Sequence, residues 1–151
     1  MLTDALRDLS KDVADKLDNI GDRERREAAL LACKRAISRR GPATPEIARG
    51  LRMLESGIYG EEGAISAIQR LVEEIDMQYF AAQERYDAGQ GDEATFLKLF
   101  RAARAASAVA FALDNDPLTA AVWSIYEASA ALGDHEDVDA LLTDLTRDGT
   151  A

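Results

Sequence analysis

The sequence predicts a single all-α domain, a bundle of about seven helices with a long central helical hairpin. Apolar residues recur at steps of three and four along most of the chain, which is the periodicity of amphipathic helices. Strong helix formers such as Ala, Leu, Glu and Arg dominate the composition. With 151 residues and 47% hydrophobic content the chain is long enough to bury a core. Alternating runs rich in β-branched residues, which would indicate strands, do not occur in the sequence.

The N-terminal part of the chain predicts three helices. The first spans Leu2–Ile20, because leucine, valine and isoleucine recur there on one helical face. Asp22 is the predicted N-cap of a second helix, which runs through Arg39. Thr44-Pro45 starts the third helix, since a capping threonine followed by proline is a preferred order at a helix N-terminus.

A long helical hairpin, Glu61–Leu113, is the predicted centre of the bundle. Its first helix, Glu61–Ala88, carries a continuous apolar seam about 40 Å long. After the break at Gly89-Gln90-Gly91, a second helix with the same apolar spacing starts at Asp92. Because the connecting turn is short, we expect the two seams to face each other.

The segment Leu118–Leu132 is predicted to be the central buried helix. Its only charged residue is Glu127, and apolar side chains surround almost the whole helix. A buried carboxylate needs a partner, and the expected partner is Arg101 or Arg104 on the preceding helix. Asp134, with another aspartate three residues later, resembles the capping box of a seventh helix. Residues from about 147 onward are predicted to fray.

The distribution of charge limits the classes of partner. A net charge of −10 argues against nucleic-acid binding, which depends on Lys and Arg to neutralise phosphates. The segment Arg23–Arg40 nevertheless holds seven of the 18 basic residues, whereas the chain after Asp114 is strongly acidic. This asymmetry predicts either a charged partner or the docking of one end of the chain on the other.

The sequence predicts a soluble, cytoplasmic protein without a cofactor. Its N-terminus lacks the basic and apolar segments of a signal peptide, and no apolar run reaches the roughly 20 residues that cross a bilayer. Cys33 is the only cysteine, which excludes an internal disulfide and a cysteine-based metal cluster within one chain. A catalytic Cys–His pair would need Cys33 and His135, which fall on an apolar helix face and in a polar first turn.

Two pairs of carboxylates have the spacing of a magnesium site. Glu24 and Glu27 form an E-x-x-E step, and Glu73 and Asp76 form an E-x-x-D step. The two steps together resemble the all-helical nucleotide pyrophosphohydrolases, which implies a Mg²⁺-dependent hydrolase. The chain departs from the pattern of that family because a whole predicted helix separates the two steps and arginines crowd the first one.

Glu73 and Asp76 also belong to a longer acidic stripe on the same predicted helix. The members of this acidic stripe recur at steps of three and four and are Glu73, Asp76, Phe80, Glu84 and Asp87. The stripe is either a solvated face or a recognition surface for a basic protein, with Phe80 as the anchor. A third interpretation is pairing within the chain, with Arg23, Arg26 and Arg35.

The C-terminal part of the chain from Phe100–Ala108 through Ile125–Ala128 resembles small acidic helical proteins of high-GC bacteria. Some of these proteins act as immunity proteins for secreted toxins. The resemblance implies a cytoplasmic inhibitor whose acidic surface covers a basic toxin site. The sequence therefore favours a non-enzymatic protein-binding module. The alternatives are a magnesium-dependent hydrolase and a structural homodimer that buries part of an apolar seam. The hydrolase would use Glu24, Glu27, Glu73 and Asp76.

Overall fold

The computed structural model describes residues 1–147, and every regular element in that range is a helix. The predicted all-α class is confirmed, with eight helices. They are α1 Asp4–Arg7, α2 Lys11–Asn19, α3 Asp22–Arg40, α4 Pro45–Glu55, α5 Glu62–Asp87, α6 Glu93–Ala112, α7 Pro117–Leu132 and α8 His135–Thr146. The predicted frayed tail beyond residue 147 lies outside the described residues.

The predicted first helix is wrong in one respect, because it is divided at Ser10. This residue has an extended backbone with φ −161° and ψ 110°, and its hydroxyl accepts a hydrogen bond from the Val13 N–H at 3.2 Å. A local N-cap of this kind competes with helix continuation and starts α2 anew. The apolar stripe survives the break, since Leu6 on α1 and Leu17 on α2 are both buried.

Capping side chains start α4, at the predicted Thr44, and α7. The predicted N-cap Asp22 is wrong by one residue, because Gly21 is the N-cap of α3 and Asp22 is its first helical residue. The Thr44 hydroxyl accepts a hydrogen bond from the Ile47 N–H at 3.4 Å, and the Asp116 carboxylate accepts one from the Thr119 N–H at 2.9 Å. Proline occupies the first helical position after each of these caps. Each cap satisfies a backbone donor that has no partner within its own helix.

Helix α7 is the centre of the bundle, as predicted, and packs between α3 and α6. Most of its side chains are buried, including those of Ile125 and Leu132, which have no exposed surface. Alanines dominate the faces of α3, α6 and α7 that meet in the core. Small side chains allow these helix axes to approach closely. Within residues 1–147 no helix combines the length and apolar composition that crossing a bilayer requires.

The long hairpin is also confirmed, with α5 and α6 packed antiparallel along their length. Its base belongs to the core, where Ile68 and Val109 are completely buried. Residues 76–102, which form the far half of the hairpin, contain no buried side chain. Because α7 ends at Leu132, beside Arg101, this half extends past the end of the central helix. We call residues 76–102 the arm and the rest of the described chain the body.

Two glycines allow the short helix α4 and its following turn to lie against the hairpin. A Cβ on Gly50 would lie 2.9 Å from Val109 Cγ1 and 3.0 Å from Ile68 Cδ1, so a side chain there would collide with the core. Gly60 has φ +73° and donates its N–H to the Leu113 carbonyl at 2.7 Å. Glycine adopts that left-handed backbone without a steric penalty.

Candidate functional site

The acidic stripe predicted on α5 lies at the surface of the structure. Glu73, Phe80, Glu84 and Asp87 are exposed, and Phe80 keeps 58% of its surface accessible. None of the three carboxylates in this set makes a salt bridge with a described residue. The exposed set therefore combines uncompensated negative charge with an accessible aromatic ring.

Asp76 differs from the other members of the stripe because Arg104 binds it. Arg104 Nη2 lies 3.1 Å from Asp76 Oδ2, and Nη1 lies 3.3 Å from Glu127 Oε2. One guanidinium thus connects α5, α6 and α7, at the junction between the arm and the body. The predicted pairing of Glu127 with Arg104 is confirmed, whereas Arg101 lies near Asp134 instead.

Glu127 is the most buried carboxylate of this group, with 12% of its side chain exposed. Burial raises its pKa above the usual glutamate value, and the positive charge of Arg104 opposes the rise. Asp76 adds a second negative charge beside the same guanidinium and also raises the pKa of Glu127. Asp76 and Glu127 share the Arg104 guanidinium. The charge of Asp76 is therefore already paired within the fold, unlike the charges of the other carboxylates in the stripe.

Aromatic side chains hold the two helices of the arm together. Tyr79 on α5 lies 5.6 Å from Phe100 and 6.1 Å from Phe96, measured between ring centroids. Tyr86 lies 5.1 Å from Phe96, and Phe80 lies 5.2 Å from Tyr79. These separations fall in the range of attractive ring pairs. The cluster therefore supports the helix face that presents Phe80 to solvent.

Met77 is a member of this surface that sequence reasoning missed. It lies four residues after Glu73 and three before Phe80, so it shares their helix face, and 71% of its surface is exposed. The spacing of Met77 along the chain already predicts this position, but the stripe was defined by charged and aromatic residues, which left methionine out. With Met77, the stripe contains an adjacent pair of accessible apolar side chains bordered by carboxylates.

The basic segment of α3 does not pair with the acidic stripe, so that prediction is wrong. Arg35 binds Asp144 on α8 at 2.6 Å. Arg26 donates to three backbone carbonyls at the end of α6 and beyond, and Arg23 binds Glu27 within α3. The basic and acidic parts of the chain thus dock on each other, which was one of the two predicted outcomes.

The start of α8 shows the same docking and corrects one further prediction. The Asp134 side chain makes no capping hydrogen bond to α8 and instead lies 3.1 Å from Arg40 Nη2. The proposed capping box at Asp134 is therefore wrong, because an arginine from α3 competes for the carboxylate. Much of the acidic C-terminal charge serves the fold rather than a free surface.

The four carboxylates of the magnesium hypothesis are not gathered at one place. Glu24 accepts the Gly21 N–H at the start of α3, and Asp76 binds the arginine described above. Across residues 1–147 no group of three or more His, Cys, Asp or Glu side chains is arranged to hold a metal ion. Glu24 and Glu27 therefore do not form a joint site with Glu73 and Asp76.

The Cys–His pair is likewise not assembled. Cys33 is completely buried in the apolar core, and this burial raises the pKa of its thiol. The side chain of His135 is 93% exposed and lies 3.1 Å from Asp139 on its own helix. A thiolate is the reactive form of cysteine, so a buried, protonated thiol is inert as a nucleophile.

The outer face of α5 remains the surface with the most distinctive chemistry. No known protein family, curated protein or solved structure matches the chain. Carboxylates attract ammonium and guanidinium groups, and exposed Phe and Met side chains gain free energy when a partner covers them. Such a face is suited to recognising a basic protein surface.

Proposed function

We propose that the protein is a non-enzymatic binding module whose acidic stripe docks on a basic partner protein. The observation that supports this proposal is the pair of exposed apolar side chains Met77 and Phe80. Three exposed carboxylates border the pair and have no salt-bridge partner among residues 1–147; they are Glu73, Glu84 and Asp87. Binding would bury the apolar pair and bring the carboxylates next to cations of the partner.

The two kinds of side chain have different roles in the proposed complex. Phe80 is the anchor, because large aromatic side chains that become fully buried contribute most to the stability of protein interfaces. The carboxylates accelerate the encounter and select positively charged surfaces, an effect that weakens as salt increases. Because a helix presents them, the backbone that carries them loses little freedom on binding.

The specific form that we favour is an immunity-type inhibitor in the bacterial cytoplasm. In that role the stripe covers a basic site on a toxin and prevents access of an anionic substrate. The negative charge of the whole chain, −10, supports this form, since it attracts a basic partner from a distance. The resemblance to immunity-type proteins points in the same direction.

The arrangement of charge favours a different protein over a second copy of this chain. In a two-fold dimer the same patch meets itself, so the carboxylates of the stripe would face other carboxylates. Like charges across an interface oppose association. Light scattering at micromolar concentration should therefore give the mass of a monomer. A dimeric mass that returns to the monomer value in the Phe80→Ala variant would instead support a homodimer formed through the stripe.

The test is affinity capture of the tagged protein from a lysate of its native cell. We expect a stoichiometric basic protein that elutes with salt, and we expect Glu73→Gln, Glu84→Gln and Asp87→Asn together to abolish its capture. The matched control changes the same number of exposed carboxylates elsewhere, with Asp8→Asn, Glu46→Gln and Glu136→Gln, and should retain the partner.

Equal loss of capture in both triple variants would mean that net charge, rather than the stripe, attracts the protein. Unchanged capture by the stripe variant would remove the stripe as the binding site. Phe80→Ala separates the two components of the face. It should weaken the complex at every salt concentration, whereas the charge variants should lose their effect at high salt.

A further inference from the structure

A cleft of about 420 Å³ lies between the C-terminal end of α3 and the first turns of α6, on the α6 side of the arm. Four of the residues that line it are cations, although the chain as a whole carries a net charge of −10. The lining residues are Arg39, Arg40, Ala94, Leu97, Lys98 and Arg101. The cleft thus brings together positive charge from two separate helices.

One of these cations serves the fold. Arg40 Nη2 donates a hydrogen bond to the Leu132 carbonyl at the end of α7, and it also lies 3.1 Å from the Asp134 carboxylate. Arg40 therefore caps the central helix and holds the start of α8. Its charge contributes to the cleft, and although Nη2 is engaged, Arg40 Nε is buried without a hydrogen-bond partner among the described residues.

The other three cations are not used in this way. Arg39 lies 4.0 Å from Asp137 and Arg101 lies 3.9 Å from Asp134, which is beyond hydrogen-bond distance. Lys98 is exposed and makes no salt bridge with a described residue. Three side chains therefore line one cleft with donors that no carboxylate within residues 1–147 accepts.

The positive charge in the cleft exceeds the negative charge beside it. Asp134 and Asp137 are the two carboxylates that pair with its arginines, against four cations. Lys98 and Arg101 are three residues apart on α6, a spacing at which like charges repel each other. An anion in the cleft would relieve this repulsion.

We propose that the cleft binds the phosphate group of a small molecule. Guanidinium groups match phosphate oxygens with paired N–H donors, and a lysine adds a compact positive charge. Ala94 and Leu97 supply an apolar wall between the cations, against which a non-polar part of the same molecule packs. The site lies apart from the acidic stripe and does not depend on the protein-binding proposal.

The test is calorimetric titration of the full chain with inorganic pyrophosphate at constant ionic strength. We expect saturable binding at one site. Arg39→Gln and Lys98→Gln should each weaken the affinity about tenfold, because each removes a charge-assisted contact with the phosphate. Both positions are exposed, so the variants should unfold at the same temperature as the wild type.

Arg70→Gln and Lys11→Gln are the matched controls, since both remove an exposed cation that makes no salt bridge with a described residue. They should change the affinity by no more than about twofold, as screened charges at a distance do. The stripe variant Glu73→Gln, Glu84→Gln, Asp87→Asn should bind pyrophosphate as the wild type does, whatever its effect on protein capture.

Three results would overturn the proposal. The first is no saturable binding up to about 10 mM pyrophosphate. The second is equal weakening by the cleft and control variants, which would show that binding is general charge attraction. The third is a single-stranded oligonucleotide that binds more tightly than pyrophosphate and loses affinity in the cleft variants, which would identify a nucleic-acid site instead.

Discussion

Helices α5 and α6 run through both the body and the arm of this molecule, but they are held in place differently in the two regions. In the body, α5 and α6 meet α4 and α7 through buried aliphatic and alanine side chains, with Ile68 and Val109 fully enclosed. In the arm, half-exposed aromatic rings connect the two helices to each other, and the α6 side lies near the rest of the chain at Arg39, Arg40 and Asp134. The difference indicates that the body determines stability and the arm presents a surface.

A comparison along α5 alone shows the same division. Ile68 has no exposed surface, whereas Met77, about two and a half turns further on, is 71% exposed. Met77 and Phe80 leave most of their surface in water, so the fold itself buries little of their apolar area. Their position on the arm is explained if another molecule covers them.

The largest expected effect comes from a pair of truncations on this helix. Ile68→Ala should lower the free energy of unfolding by about 2–5 kcal/mol, because it leaves a cavity among fully buried side chains. Met77→Ala should change it by no more than about 0.5 kcal/mol. Denaturant unfolding of both variants measures the difference, and similar losses would mean that the arm is part of the cooperative core.

An intermediate effect is expected at the junction between arm and body. Arg104→Gln should cost about 2 kcal/mol, because it leaves Asp76 and Glu127 close together without their cation. Arg85→Gln, an exposed arginine on the arm without a salt bridge in the described chain, is the control and should be nearly neutral.

The raised pKa of Glu127 predicts how the effect of Arg104→Gln on stability changes with pH. The folded-state pKa of Glu127 is raised, so its charged form disfavours folding, and lowering the pH through that pKa removes the penalty. Loss of Arg104 should raise the pKa further. The loss of stability caused by Arg104→Gln should therefore be largest at neutral pH and smaller in mild acid. Denaturant unfolding of the variant and the wild type at both pH values measures this difference. A loss that grows in acid would contradict the assigned role of Glu127.

The smallest expected effect compares two helix caps with the same geometry. Asp116 caps α7 in the body through Thr119, and Asp92 caps α6 at the tip of the arm through Thr95. Asp116→Ala should lower global stability by up to about 1 kcal/mol. Asp92→Ala should have a smaller global effect and should instead speed amide exchange in the first turns of α6, because that end can open locally.

Both caps respond to acid in the same direction. The threonine hydroxyl and the backbone N–H bind the ionised carboxylate and lower the pKa of Asp92 and Asp116. Each cap therefore contributes above the usual aspartate pKa and is lost as the pH falls through the lower folded-state value. Below that range the alanine variants should match the wild type, and a persistent difference would assign another role to these residues.

Local rules accounted for some of the helix limits in this chain. Thr44, followed by proline, starts a helix as expected, and the glycines between α5 and α6 produce the hairpin. Ser10 follows the same capping rule, but the longer apolar stripe favoured a continuous helix. Periodicity alone cannot detect such a break, because both helices keep their apolar residues on the core side.

The candidate site was only partly predictable, for a different reason. Spacing along α5 placed Glu73, Phe80, Glu84 and Asp87 on one exposed face. Spacing could not show that Asp76 on this face binds an arginine from another helix, since that depends on how the helices pack. The basic cleft was missed for the same reason, because its cations come from residues far apart in sequence.

The pairing of Arg35 with Asp144 joins residues that are 109 positions apart. During synthesis at roughly 5 to 20 residues per second, the first of them is made roughly 5 to 20 s before the second. For that interval the cationic side of α3 has no contact with α8, although α4 to α7 are already being added. Helix α8 is therefore synthesised after α2, α3 and α7, the helices that it packs against, and its contacts with them form only once they exist.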